Sequence, residues 1–276
     1  MNEHQTDLDW ERIGRTAPYW GVLTQDEYRG AALDGPRRAA FFATGEERIE
    51  QLFRTARAHL DPAFAPRRAL DFGCGVGRLT VPLAERCAAV VAVDVSESML
   101  REAAKNCAAR GLANVELVRG DDGLTAVTGR FDLVHTDIVL QHIPTARGFR
   151  IFRRLTELVA DGGCGAVHVT YSKAEFGPVP AGGFADYPQI AIPGGGRFHL
   201  ARLVRALRVR WTNRGRRRPP AAPAGPEAPL LQMNPYVLNP LLHVLQAAGV
   251  REFFTEFTDH GADLGVMMYF RKPPAG

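Results

Sequence analysis

A glycine-rich run, DFGCGVG at residues 71–77, is the part of the sequence best suited to binding a ligand. It holds Asp71, Gly73, Gly75 and Gly77, and glycines at this spacing let the backbone of a tight turn approach a ligand closely. A dinucleotide-binding loop would carry its third glycine at position 78, where this chain has arginine. A carboxylate directly before the loop would also repel a pyrophosphate. The run therefore predicts a turn that meets a cation or an amino group instead of NAD.

The elements around this run follow the alternation that is typical of an α/β protein. Short β-branched runs predict five buried parallel strands, and amphipathic spacing between them predicts three helices, with Ser96 as an N-cap and Gly111 as a C-cap. A fourth helix and two further strands follow, and these strands are expected to form an antiparallel hairpin at the sheet edge. The predicted strands are 67–72, 88–94, 115–121, 131–137, 165–171, 251–258 and 264–270, and the helices are 78–87, 96–110, 146–160 and 240–248.

Two regions fall outside this sheet. Residues 1–60 are predicted to form an N-terminal helical cap, and residues 173–232 an inserted lid, so that 61–172 and 233–276 make the core. The lid holds nine arginines and no acidic residue between 197 and 218, then a Pro/Ala-rich linker. The arginines either dock an anionic acceptor or form a solvated helix face. Residues 234–236, Asn-Pro-Tyr, are expected to form a turn.

Composition limits the remaining classes. Of 276 residues, 46% are hydrophobic and 23% charged, which is typical of an ordinary globular protein. No apolar run approaches the roughly 20 residues of a membrane span, and the polar, acidic start does not resemble a signal peptide. A cytoplasmic location is therefore expected, and the arginine-rich bias is typical of a GC-rich bacterial genome. The four cysteines, with no CxxC pair, are interpreted as reduced packing residues, and no metal site is predicted.

Three further motifs follow the glycine run in order: VVAVDVSESML at 90–100, VRGD at 118–121 and FDLVHTDIVLQHIP at 131–144. Together they resemble the class I S-adenosylmethionine-dependent methyltransferases. The resemblance covers 67–171 well and 236–271 more loosely. It implies a Rossmann-like sheet of seven strands, mostly parallel with a C-terminal antiparallel hairpin and helices on both faces. It also implies S-adenosylmethionine as cofactor and S-adenosylhomocysteine as product.

The resemblance assigns cofactor contacts by position. Asp71, Gly73, Gly75 and Gly77 would line the methionine and ribose side of the cofactor. Asp94, with Val95 beside it, would accept from the two ribose hydroxyls. Asp121 or the adjacent Asp122 would accept from the adenine amino group, although Asp121 is also suited to cap the next turn. Met99 would pack on the adenine face or in the core, and Asp137 would meet the cofactor or the acceptor.

Methyl transfer needs alignment, a dry pocket and, for a hydroxyl or protonated amine, a base. His142 is the candidate base, with packing beside the cofactor as its alternative. Tyr171 is expected to face the acceptor, and Tyr19, with Trp20, to close over the sulfonium by a cation–π contact. His135 and His168 are interpreted as core histidines whose hydrogen bonds are satisfied.

Methylation of an O or N atom of a small-molecule acceptor, such as a secondary metabolite or a sugar, is the leading hypothesis. One alternative is cyclisation of the cofactor's own aminobutyrate chain with release of methylthioadenosine. Another is methylation of RNA or of a carrier-protein-bound substrate. Nucleic acid is disfavoured because the fourth strand is followed by HTDI, without the proline motif of amino-methylating enzymes. A non-catalytic binding module is also disfavoured, no membrane partner is expected, and a homodimer stays open.

Overall fold

The structure is a computed structural model that describes residues 5–30, 32–173, 231–260 and 263–275. Helices come first in the chain: α1 (Gln5–Thr16), α2 (Pro18–Val22), a 3-10 turn (Asp26–Tyr28) and α3 (Gly35–His59). Helix α3 begins where Asp34 accepts a hydrogen bond from the Arg37 amide and a proline occupies the first turn. The segment 174–230, which makes up most of the expected lid at 173–232 and includes its arginines, lies outside the described residues.

Seven strands then form one sheet, in the order β3-β2-β1-β4-β5-β7-β6. The first five pair in parallel, and β7 runs antiparallel to both β5 and β6. The predicted seven-stranded, mostly parallel sheet with a C-terminal antiparallel hairpin is therefore confirmed. The strands are β1 (Arg68–Phe72), β2 (Ala89–Asp94), β3 (Val115–Arg119), β4 (Phe131–Thr136), β5 (Val159–Lys173), β6 (Phe253–Asp259) and β7 (Asp263–Arg271).

The remaining helices cover the sheet. They are α4 (Thr80–Ala84), α5 (Glu97–Ala109), a 3-10 turn (Leu140–His142), α6 (Thr145–Leu158) and α7 (Leu238–Ala247). The hydroxyl of Ser96 accepts from the Met99 amide at 3.1 Å, which confirms the predicted cap of α5. The prediction that a helix starts at residue 78 is wrong, because residues 75–79 are turns that complete the glycine loop and α4 starts only at Thr80.

The two faces of the sheet bury separate apolar layers. Helices α6 and α7 pack on one face, and α3, α4 and α5 pack on the other. Because strand side chains alternate between faces, Asp71 and His135, which are register partners on β1 and β4, both face the α3 side. The four cysteines are buried and unpaired. No helix in the described part of the chain is long and apolar enough to cross a bilayer.

Candidate active site

A cavity of about 520 Å³ opens at the C-terminal ends of β1, β2 and β4, a volume typical of small-molecule and cofactor sites. Its walls come from the glycine loop, helix α1, the segment 231–233 and the turn between β6 and β7. Most of the predicted site residues line it, namely Asp71, Gly73, Gly75, Asp94, Val95, Met99, Asp121, Asp122, Asp137 and His142. Residues that are far apart in the sequence therefore meet at one site.

The glycine loop depends on backbone conformations that favour glycine. Gly73, Gly75 and Gly77 have φ angles of +75°, +52° and +86°. A Cβ at Gly73 would also overlap Val139. The amides of Gly73 and Cys74 donate to the Val93 carbonyl, so they are not free to bind a phosphate. This arrangement agrees with the predicted exclusion of a pyrophosphate. Gly77 does not line the cavity.

Asp94 lies at the end of β2, directly beneath the glycine loop. Its two carboxylate oxygens accept from the amides of Gly75, at 2.8 Å, and Ser96, at 2.9 Å. Burial raises the pKa of Asp94 to about 6, against the opposing effect of these amides. The carboxylate is therefore fixed in orientation and keeps lone pairs for further donors.

Asp71 is held from two sides at the floor of the cavity. One carboxylate oxygen accepts from the Thr80 hydroxyl at 2.7 Å, and the other lies 3.0 Å from Nδ1 of His135. Because a carboxylate only accepts, Nδ1 of His135 carries the proton. Nε2 of His135 is buried without a partner among the described residues, so the expectation of a fully satisfied core histidine is wrong for His135.

Asp137 forms a buried ion pair with Arg48 of α3, with N–O distances of 2.9 and 3.2 Å. Burial alone would raise the pKa of Asp137, but the guanidinium holds it well below its usual range. The next residue, Ile138, has a φ of +58°, a strained conformation for a β-branched side chain. Strain at this position is typical of a functional site.

Asp121 and Asp122 differ in their partners. Both oxygens of Asp121 accept from the amide and hydroxyl of Thr125, which lowers the pKa of Asp121. This is the geometry expected of an aspartate that caps the following turn. Asp122 instead forms an ion pair with Arg147, which also makes a bidentate pair with Asp7 of α1 at 2.7 and 2.9 Å. These contacts tie helix α1 to the cavity.

His142 has one ring nitrogen engaged and the other without a hydrogen bond. Nδ1 lies 2.8 Å from the carbonyl oxygen of Gln232, so Nδ1 is the protonated nitrogen and Nε2 carries the lone pair. Nε2 makes no hydrogen bond within the described residues. Burial lowers the pKa of His142, which keeps the ring neutral at pH 7. Trp10 packs edge-on against the ring, with centroids 5.1 Å apart.

The segment 231–237 positions His142, and it has no helix, strand or turn where a turn was expected at 234–236. The Asn234 amide donates to the Gln141 carbonyl at 2.6 Å. The hydroxyl of Tyr236 lies within hydrogen-bond distance of the carbonyls of Leu140 and Ile143, at 2.8 and 2.9 Å. The prediction of a turn is wrong because these carbonyls, which follow β4, draw the segment back to the core.

Two predicted catalytic tyrosines are not brought to the cavity. Tyr19 is 1% exposed, and its hydroxyl lies 2.8 Å from a Glu102 carboxylate oxygen, on helix α5. Burial raises the pKa of Tyr19 to about 12. Tyr171 packs against the sheet core and meets the Phe257 ring at 6.4 Å. Neither ring lines the cavity that the described residues form, because the helix and strand turn both rings toward packing neighbours. Their catalytic roles therefore stay predictions.

His168 also differs from its predicted state. Nε2 lies 2.8 Å from the Thr258 hydroxyl, whereas Nδ1 is buried with no partner among the residues that the structure describes. Burial lowers the pKa of His168 to about 4. It is therefore a neutral core histidine, but only half satisfied.

Several cavity residues were not predicted from the sequence: Trp10, Arg78, Gln141, Arg147, His260 and Asp263. Only Arg78 had a usable signal, since it replaces the glycine of a dinucleotide loop. Within the described ranges, no group of three or more His, Cys, Asp or Glu side chains is arranged to hold a metal ion.

Known proteins resemble this chain in sequence. Residues 69–163 match the family model described as a methyltransferase domain. A ubiquinone biosynthesis O-methyltransferase of Caulobacter sp. (strain K31) is 36% identical over 165 residues, which are 54% of this chain and 63% of that protein. The trans-aconitate 2-methyltransferase of Deinococcus radiodurans is 35% identical over 122 residues, 42% of this chain and 44% of that protein. The chain spans less than two thirds of the length of either relative.

Solved structures share the fold. The magnesium protoporphyrin IX methyltransferase of Synechocystis PCC 6803, with bound SAH, has a TM-score of 0.55 at 17% identity, covering 95% of this chain and 97% of that one. The N-methyltransferase NodS of Bradyrhizobium japonicum WM9, in complex with S-adenosyl-L-homocysteine, has a TM-score of 0.55 at 15% identity, covering 98% and 99%. Residues 69–163 therefore match a methyltransferase domain, and the chain shares the Rossmann-like fold of these solved methyltransferases, as the sequence motifs predict.

Proposed function

We propose that this protein is an S-adenosylmethionine-dependent methyltransferase that methylates an O or N atom of a small-molecule acceptor. Two relatives named for ubiquinone biosynthesis and trans-aconitate methylation support a small-molecule acceptor by analogy. The cavity is also rich in aspartates, including Asp71, Asp94, Asp137 and Asp263, which suits a ligand with a sulfonium and an ammonium group.

The residues of the cavity fit this cofactor. Asp94 is oriented to accept from the two ribose hydroxyls, because its remaining lone pairs point away from the amides that hold it. Asp71, held by Thr80 and His135, would accept from the ammonium group. Met99, which lines the cavity, would pack on the adenine face, and the exposed Asp121 would accept from the adenine amino group with the lone pairs that Thr125 leaves unengaged. S-Adenosylhomocysteine, which is the cofactor without its methyl group, would remain as the product.

S-Adenosylmethionine supplies a methyl group on a positively charged sulfur, which an acceptor lone pair can attack in line. The protein's part is to bind, orient and remove a proton. His142 is suited to this last step because Gln232 fixes its tautomer with the Nε2 lone pair unengaged, while burial keeps the ring neutral. The observation that carries the proposal is that His142 lines the same cavity as Asp94 and is neutral, with the Nε2 lone pair unengaged.

A His142→Ala variant tests this role. We expect the rate of acceptor-dependent S-adenosylhomocysteine formation, measured by mass spectrometry with a panel of hydroxylated and amino metabolites, to fall by about 100-fold or more. S-Adenosylmethionine affinity should stay within about twofold, since the base meets the acceptor instead of the cofactor. His243→Ala, at an exposed histidine of α7, is the matched control. Full turnover by His142→Ala would show that His142 is not the base.

A further inference from the structure

Arg78 is a buried cation that the protein leaves without an ionic partner. The residue is 7% exposed and lines the cavity. Its Nε is buried with no hydrogen-bond partner, and Nη1 reaches only the Thr44 hydroxyl, at 3.4 Å. Within the described part of the chain, no carboxylate lies within ion-pair distance of Arg78, whereas the cavity's other arginine, Arg147, has carboxylates on two sides.

The position of Arg78 is tightly set. It follows Gly77 at the end of the glycine loop, and its backbone packs so closely on α3 that a Cβ at Gly45 would overlap the Arg78 carbonyl. Of the nearby acids, Asp137 is already paired with Arg48, and Asp71 is held by Thr80 and His135. The guanidinium therefore lines the cavity, within electrostatic range of Asp137 and Asp71, and has N–H groups that no acceptor of the described residues engages.

An unpaired buried guanidinium is costly, because it loses water without gaining a partner. Burial accordingly lowers the pKa of Arg78. Such a group lowers the stability of the folded protein unless a ligand supplies the missing acceptor. The planar fork of arginine matches the two oxygens of a carboxylate.

We infer that Arg78 binds the carboxylate of the cofactor's amino-acid end, beside Asp71. The pair would then recognise an α-amino acid zwitterion, with Asp71 on the ammonium and Arg78 on the carboxylate. This inference rests on the proposed function, because the ligand is the proposed cofactor. It adds a binding residue and a reason for arginine at a position where a dinucleotide loop has glycine.

The test compares two ligands that differ only in the carboxylate: S-adenosylmethionine and decarboxylated S-adenosylmethionine. Binding is measured by calorimetric titration of the full chain. The wild-type protein should prefer the carboxylated ligand by about 10- to 100-fold, as for a charge-assisted hydrogen bond. Arg78→Met should abolish the preference by weakening only S-adenosylmethionine, and Arg78→Lys should keep part of it, since the charge remains but the fork is lost.

Arg86→Met is the matched control, because Arg86 follows on the same segment but pairs with Glu50 away from the cavity. It should leave the preference intact. Without ligand, Arg78→Met should melt no lower than Arg86→Met, since it removes an unpaired buried charge. Equal binding of both ligands by wild type would overturn the inference while leaving the proposed function standing. A lower melting temperature, or equal weakening of both ligands in Arg78→Met, would also overturn it. Failure of wild type to bind either ligand would instead contradict the proposed function.

Discussion

Asp94 shows how one side chain can be costly to the fold and useful to the site. Its carboxylate accepts two amides from the loops on either side of it, at Gly75 and Ser96, and burial still raises the pKa of Asp94 to about 6. The ribose hydroxyls would add donors to the charged form. Because hydrogen bonds to the charged form lower a pKa, the bound protein should hold Asp94 ionised to a lower pH than the free protein.

Cofactor affinity should therefore depend on pH through Asp94. We expect the dissociation constant of S-adenosylhomocysteine to be constant above pH 7 and to rise roughly tenfold for each pH unit below 6, where the carboxylate must first lose a proton. Calorimetric titration between pH 5 and 8 measures this. Asp94→Asn should bind weakly at every pH and lose this dependence. Asp121→Asn is the control and should keep the pH dependence of binding. The pKa of Asp121 is lowered, so its charge is constant in this range.

The Asp137–Arg48 pair makes a prediction about stability. The Asp137 side chain is 2% exposed, so Asp137→Asn leaves the Arg48 guanidinium without its counter-charge in a buried site. We expect a loss of about 3 kcal/mol in the free energy of unfolding, measured by urea denaturation. Adding Arg48→Met to Asp137→Asn should cost less than the sum of the two single changes. Strict additivity would show that the pair does not act as a unit.

The sequence predicted single residues well where a rule of position applies. Asp94 and Asp137 are the last residues of predicted strands, and such residues meet at the C-terminal edge of a parallel sheet. The tautomer of His142 could not be predicted, because it depends on the carbonyl of Gln232, ninety positions away. The direction of the Tyr19 ring could not be predicted for a similar reason, since its hydroxyl contacts Glu102 and Asn106 of another helix.

Helix α1 is an element whose place depends on a few polar contacts. Asp7 forms a bidentate ion pair with Arg147, and the Thr6 hydroxyl donates to the carbonyl of His142 at 2.9 Å. Both residues, with Trp10, line the cavity. The N-terminal helix therefore forms part of the cavity wall.

Weakening this attachment should speed ligand release. We expect Asp7→Asn to raise the dissociation rate of S-adenosylhomocysteine by about tenfold or more, because truncating one partner of a buried charge pair acts mainly on dissociation. Stopped-flow fluorescence or surface plasmon resonance measures this rate. Asp9→Asn is the control on the same helix, since Asp9 accepts only a 3.4 Å hydrogen bond from Gln5 within the described residues. Equal rates in both variants would show that α1 does not retain the ligand.

The segment 231–237 is held by close packing on α6. A Cβ at Gly148 would overlap the hydroxyl of Tyr236. We expect Gly148→Ala to lower the free energy of unfolding by about 2 kcal/mol or more, measured by urea denaturation, because the clash is with a buried group. Tyr236→Phe alone should cost about 1–2 kcal/mol through its lost hydrogen bond. In the double variant the alanine should cost less than it does alone; an unchanged cost would contradict this packing account.

At the scale of the whole molecule, hydrophobic periodicity was sufficient for the sheet. Five strands with helical crossovers, then a helix and a hairpin, allow few arrangements once crossovers are right-handed, and the observed order agrees with that expectation. The same periodicity could not show that 231–237 returns to the residues after β4, because that segment has no regular secondary structure and is held by single hydrogen bonds. Topology was therefore predictable, whereas the part of the cavity wall formed by 231–233 was not.

The central claim is that this cavity holds S-adenosylmethionine for transfer to another molecule. Mass spectrometry of the purified protein, incubated with S-adenosylmethionine and no acceptor, tests it most directly. We expect the cofactor to be bound and to survive intact, because the base at His142 has no acceptor to deprotonate. Catalytic accumulation of methylthioadenosine would contradict the claim, since the cofactor would then be the substrate of its own cyclisation. Absence of any bound cofactor would contradict it as well.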